Sequence, residues 1–236
     1  MRTVQQQGGF TLIEVMIAMA VLGMVLTGVV QMFTATNRSA TIQEQMMSLN
    51  QDMRAVKNLL VDELRSAGTN PHNLQRIGFQ TDSADELNTD ANSIHFTRDI
   101  DGIDTDGDGT DDDALFMPDG DADDANESIA YYRTNDDCLS GGVGAVLNSG
   151  DTTLGCLRRD TGGGGQPLLA NVTELQFRYF DASDNELLPA TLNATPVLDR
   201  ISYVDVRLRA RVENPARIDA GAQVQEQTFR VFIRNS

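Results

Sequence analysis

From Phe10 to Phe33 the chain runs for 24 residues with a single charge, Glu14. As a helix rising ~1.5 Å per residue this run reaches ~36 Å, enough to cross a hydrocarbon core of ~30 Å. A carboxylate in such a run is costly, roughly 2.5–3.5 kcal/mol near the bilayer centre. Glu14 therefore needs a reason. The residues before the run, Met1 to Gly9, are polar with one Arg, and the small pair Gly8-Gly9 precedes the apolar stretch. An ordinary secretory signal is cut after its apolar run. A cut at the glycines leaves the apolar segment on the mature protein.

The helical period continues past Phe33. Ile42, Met46, Leu49, Met53, Val56 and Leu60 step by four, three, four, three and four, which places them on one helix face. "RSAGTNP" (Arg65 to Pro71) stops the helix, with Gly68 as C-cap and Pro71 beyond. The pattern predicts a near-continuous helix from about Phe10 to Ala67, its first half apolar enough for lipid and its second laid on a globular domain. A coiled coil is the competing reading, but the stripe lasts only about three heptads with sparse flanking charge.

Short strands are expected at Asn92–Thr97, Ser128–Arg133, Glu174–Phe180 and Phe229–Ile233, and the longest over "VDVRLRARV". There Val204, Val206, Leu208, Ala210 and Val212 alternate with Asp205, Arg207, Arg209 and Arg211. One apolar face per strand describes an antiparallel sheet covered on one side, and the long helix is the obvious cover. The fold class is α+β. The stripe of Arg207, Arg209 and Arg211, joined by Arg230 and Arg234, either docks an acidic neighbour or is the solvated face of the sheet. "TGGGGQP" (Thr161 to Pro167) reads as a flexible link. The expected domains are 1–9, a polar segment ahead of a cut at the glycines; 10–33, a membrane helix; 34–68, its amphipathic continuation; and 69–236, a β-rich domain with an acidic insert at 99–127.

The net charge of −17 is local: Thr81 to Asp137 holds 19 acidic residues and two Arg, while the rest balances at 16 of each sign. Within the insert, Asp104, Asp106, Asp108, Gly109 and Asp112 follow the D-x-D-x-D-G-x-x-D spacing of a calcium loop. Alternate carboxylates converge, Gly109 allows the reversal, and the Thr110 carbonyl adds a ligand. Hard oxygen ligands suit Ca²⁺, with an expected affinity of about 10⁻⁴–10⁻³ M. Leu115 stands where an EF-hand places a bidentate Glu, so the alternative is a disordered acidic loop. Asp119, Asp121 and Asp123 form a weaker second run. The two cysteines, Cys138 and Cys156, are expected to form one disulfide in an exported chain, against the alternative of two buried thiols.

No basic stretch interleaved with aromatics supports nucleic-acid binding. His72 and His95 lie far apart without Cys or paired carboxylates at ligand spacing, and no phosphate loop or nucleophile elbow appears, so no catalysis is expected.

"GGFTLIEVMIA" resembles the prepilin signature of type IV pilins and type II secretion pseudopilins. The resemblance implies cleavage by a membrane-embedded prepilin peptidase between Gly9 and Phe10 and methylation of the new amine on Phe10. It makes Glu14 the fifth mature residue, whose carboxylate pairs with a neighbouring subunit's amine during assembly. It also implies a type IV pilin-like fold, a long N-terminal helix packed on an antiparallel sheet. The proline that many major pilins carry in this helix has no counterpart; Gly23 and Gly28 stand in the apolar half instead. "LLVDELRSAG" (Leu59 to Gly68), "LLANVTELQFRYFDASDNE" (Leu168 to Glu186) and "LDRISYVDVRLRARVENP" (Leu198 to Pro215) are most similar to PilW-type minor pilins. The implied role is a low-copy minor pilin that primes assembly. Its implied partners are other pilins through the helix, the prepilin peptidase and the inner membrane before assembly, with the globular domain in the periplasm and then on the pilus surface. The rivals are a J-type pseudopilin and a pilus-borne, Ca²⁺-dependent binding module.

Overall fold

The computed structural model describes residues 9–70, 77–81, 87–99, 127–139, 144–148, 150–188, 192, 195–212 and 223–234. The elements are α1 (Leu12–Ser66), β1 (Ile94–Thr97), β2 (Ser128–Thr134), β3 (Gly155–Asp160), β4 (Gln166–Phe180), β5 (Glu186–Leu187), α2 (Thr195–Leu198), β6 (Tyr203–Val212) and β7 (Gln223–Phe232). Two compact units divide the chain between Met46 and Met47.

The first unit holds most of α1. Its apolar residues are exposed along the run, from Phe10 at 83% to Phe33 at 65%. This is the one helix among the described residues that is long and apolar enough to span a bilayer.

The second unit is a seven-stranded sheet in the order β1-β2-β3-β4-β6-β7, with β5 added to β4. Every pairing is antiparallel. Together with the long helix this is the expected α+β layout of type IV pilins. The last turns of α1 bury Leu49, Met53, Val56 and Leu60 of the predicted stripe and Leu64 beyond it, while its first two members, Ile42 and Met46, are only partly covered. Each such side chain is worth roughly 1.5–3 kcal/mol on burial. The apolar rows of the strands are buried too, Leu175, Phe177 and Tyr179 of β4 and Val204, Val206, Leu208 and Ala210 of β6, and Lys57 over the Phe229 ring and Glu63 against Arg159 tie the helix to this sheet. The helix ends where the sequence places its stop. Gly68 takes φ +73°, a left-handed position that favours glycine.

Four features differ from expectation. β3 was not foreseen. Its sequence, GCLRRD, hides two arginines that face inward and outward on a buried strand. "TGGGG" is not a loose link but the β3–β4 turn. Gly162 and Gly164 are left-handed, and both donate to the Asp160 carboxylate. β4 then starts at Gln166, eight residues before the expected strand. β7 likewise starts at Gln223, its first half lacking the apolar alternation that marks Phe229 to Val231.

Candidate functional site

The N-terminal site begins with a cap. The Thr11 carbonyl accepts the N–H groups of Glu14 and Val15 at 3.1 and 3.3 Å, and its hydroxyl also faces the Glu14 N–H at 3.4 Å. Glu14 thus occupies the third helical position, as in a capping box. A carboxylate there gains about 0.3–1 kcal/mol from the helix dipole. That is a fraction of the cost of a carboxylate in lipid, roughly 2.5–3.5 kcal/mol at the centre. Local structure therefore offsets only part of what a carboxylate costs in lipid. Gly9 and Phe10 precede the cap and are exposed.

At the other end of α1 an ionic cluster fixes the helix on the sheet. Glu63 is buried at 7% exposure. Arg159 of β3 donates to it from Nε at 3.1 Å to each oxygen and from Nη2 at 2.6 Å. The Tyr131 hydroxyl of β2 donates to the same carboxylate. Burial, then the negative charge of Glu63, pushes the Tyr131 phenol well above its ordinary range. Arg98 donates to the Ser66 hydroxyl at 2.8 Å. Burial lowers the Arg98 pKa against the opposing pull of Glu63. Backbone bonds complete the seam: Gly68 N–H to the Thr97 carbonyl at 3.0 Å, and Asp99 N–H to that of Thr69 at 2.9 Å.

The acidic insert leaves the sheet from this seam. Thr97 pairs with Ser128 in the β1–β2 ladder, and Arg98 N–H donates to the Glu127 carbonyl at 3.0 Å. The expected calcium ligands Asp104, Asp106, Asp108, Thr110 and Asp112 lie outside the described residues, as does His72.

Cys138 and Cys156 are joined in a disulfide with Cα atoms 5.1 Å apart. Beside it, Asp136 accepts bonds from Arg158 Nη2 at 2.7 Å and Nε at 3.1 Å, the Thr134 hydroxyl at 2.6 Å, and the Cys138 and Gly144 N–H groups. Burial opposes the Asp136 charge, but these donors outweigh it and hold the carboxyl well below the usual range. Ligand atoms of Asp136, Cys138 and Cys156 lie within 4.8 Å of one another, but both sulfurs are spent in the disulfide and the carboxylate is saturated. This cluster is a structural knot rather than a metal centre.

Sequence reasoning missed Arg133, which is 1% exposed. It donates to the carbonyls of Thr153, Thr173, Asn148 and Asp151 at 2.8–3.0 Å. It clamps the β2–β3 connection to β4. In sequence it is one more alternating residue of a strand, and nothing marks it as buried.

The arginine stripe is paired within the sheet. Arg207 and Arg209 of β6 each reach Glu174 of β4 and Glu226 of β7, and Arg230 grips Asp205 at 2.7 Å. These three arginines of the stripe belong to a cross-strand lattice with acids of their own surface. His95 sits 3.0 Å from the Ser128 hydroxyl through Nε2.

The model of the prokaryotic N-terminal methylation motif matches residues 5–30. No curated protein matches the chain. The matched span covers the glycine pair, Phe10, the Thr11 cap, Glu14 and most of the exposed apolar run. The apolar helix and this motif together fit a single-pass inner-membrane protein. The chain carries a type IV pilin-like prepilin signature, the mark of a structural subunit rather than an enzyme.

Proposed function

We propose that this chain is a minor pilin, built at low copy into a type IV pilus and helping to prime its assembly. The observation that carries this reading is the methylation motif on a wholly exposed apolar run, Phe10 to Phe33, whose single charge is Glu14. Cleavage after Gly9 creates a positive amine on Phe10, one turn before Glu14. In lipid the carboxylate is a liability; paired with the amine of an adjacent subunit it is neutralised, because a matched pair in low dielectric costs far less than a lone charge. The same residue thus biases the subunit toward leaving the bilayer for a filament. Other pilins, the peptidase and the membrane are the partners of this segment. The similarity of the Leu168–Glu186 and Leu198–Pro215 segments to PilW-type proteins favours the minor-pilin role over that of a major subunit or a J-type pseudopilin.

The test is a deletion strain with immunoblots of sheared pili. Fewer surface pili without the protein, and its presence in the sheared fraction, support the reading; normal piliation removes the priming role. Glu14→Gln should leave processing intact and reduce incorporation.

A second proposal concerns the insert. It is attached at one rung of the β1–β2 hairpin, and its aspartate spacing is that of a Ca²⁺ loop. Weak Ca²⁺ binding there would order a surface segment for contact with a partner.

A further inference from the structure

β7 is the last strand in the sheet order, and among the described residues only β6 pairs with it. The opposite margin is different. β1 is closed by the segment Gly78–Gln80, through Gln80 N–H to the His95 carbonyl at 2.8 Å and Thr97 N–H to the Gly78 carbonyl at 2.8 Å. β7 pairs with β6 over ten consecutive residues without a register shift, and it contains no proline, glycine or bulge. Long, regular edges of this kind are the ones that recruit another strand. The outward-facing row of β7 is Val224, Glu226, Thr228, Arg230 and Phe232, and all five are exposed. Val224 at 44% and Phe232 at 63% are its exposed apolar groups.

This row is complementary to itself. Laid antiparallel against a second copy and centred on Thr228, it sets Thr228 opposite Thr228, Glu226 opposite Arg230, and Val224 opposite Phe232, twice each by symmetry for the last two. Hydroxyl pairs, opposite charges and aromatic–β-branched pairs are the cross-strand combinations that stabilise a sheet, at about 0.2–1 kcal/mol each. Other registers lose this. Centring on Glu226 sets two carboxylates face to face, centring on Arg230 sets two guanidiniums together, and centring on Gln227 leaves both charges without an opposite. Glu226 and Arg230 keep their in-chain partners, yet each side chain is 42% exposed and open on its free side.

We propose that a second copy of this chain docks on β7, joining two sheets edge to edge through a two-fold axis at Thr228. The contact is isologous and closes on itself, so it makes a dimer and not a fibre. The axis stands perpendicular to the joined sheet. The Met47–Ser66 helix segments of the two copies then lie on the same face and run in opposite directions. Copies arrayed in parallel do not make this contact; it links copies that face opposite ways.

The chain's own two cysteines are already bonded, so one added cysteine reports on one distance. On the full-length chain in detergent, Thr228→Cys should oxidise to a covalent dimer, since opposite residues on paired strands lie at about 4.5–5.5 Å, within disulfide reach. Val224→Cys should remain monomeric, because its mate lies eight residues away, about 27 Å. The Val224→Cys/Phe232→Cys pair should cross-link. Thr228→Lys, which places like charges on the axis at an exposed position, should convert the sedimenting dimer to monomer with an unchanged thermal midpoint. Equal cross-linking at positions 224 and 228, no cross-linking at 228, or a dimer insensitive to Thr228→Lys would each overturn the proposal.

Discussion

Glu63 and Arg159 meet across the helix–sheet seam through a forked contact, 2.6 Å at its shortest, with side chains 9% and 14% exposed. A charge this far from water tolerates no loss of its partner. Glu63→Ala or Arg159→Ala alone should cost about 3–5 kcal/mol, whereas Glu63→Met/Arg159→Met together should cost less than either. For a unit of this size 1 kcal/mol moves the midpoint by about 2–4 °C, so calorimetry of the three variants decides the matter. A double variant as damaged as the singles would show that the ion pair itself, and not the stranding of its partner, sets the cost.

Asp136 and Arg158 give the globular unit an acid limit. The Asp136 carboxyl is depressed in the folded state by its donors, so its contribution is fully present above the unfolded carboxyl pKa, near 3.9, and is lost as pH falls below it. Melting midpoints recorded from pH 6 down to pH 2 should fall steeply at the acid end. In Asp136→Asn the midpoint should start lower and fall less. Asp181, lowered to about 2 first by its backbone bond from Asn185, works in the same direction.

The disulfide spans 18 positions. Closing a loop of that size is worth about 3 kcal/mol through the unfolded state. Cys138→Ser/Cys156→Ser, or the reduced chain, should melt lower by roughly 6–12 °C. A shift of a degree or less would mean that the Asp136–Arg158 knot already holds the loop.

For the acidic insert, calorimetry should show Ca²⁺ binding in the range of about 10⁻⁴–10⁻³ M, abolished in Asp104→Ala/Asp106→Ala. Absence of heat up to millimolar Ca²⁺ removes the ion from the account.

The parts of this fold legible in the sequence are those whose burial is apolar. β6 alternates cleanly, and Leu49, Met53, Val56 and Leu60 mark the helix face without ambiguity. What escaped is burial by pairing. β3 reads as polar because Arg158 and Arg159 point to opposite sides of it, and each is neutralised by an acid far off in the chain, Asp136 and Glu63. Arg133 escapes for the same reason, since its partners are carbonyls that leave no mark in the sequence. The arginine stripe was legible as one face, but its acids, Glu174 and Glu226, sit on other strands whose registers only the fold supplies. At the N-terminus the signature was legible because it is contiguous; the Thr11 cap over Glu14 emerges once the helix start is fixed at Leu12.

The rung that joins Arg98 to Glu127 has a practical meaning. Chain leaves and re-enters the sheet at adjacent backbone positions, so the β1–β2 ladder is indifferent to how much sequence lies between them. The cost of closing a loop grows only slowly with its length. The rung thus marks an insertion point: whatever sequence stands between Asp99 and Glu127, the Thr97–Ser128 pairing asks only that its two ends meet there.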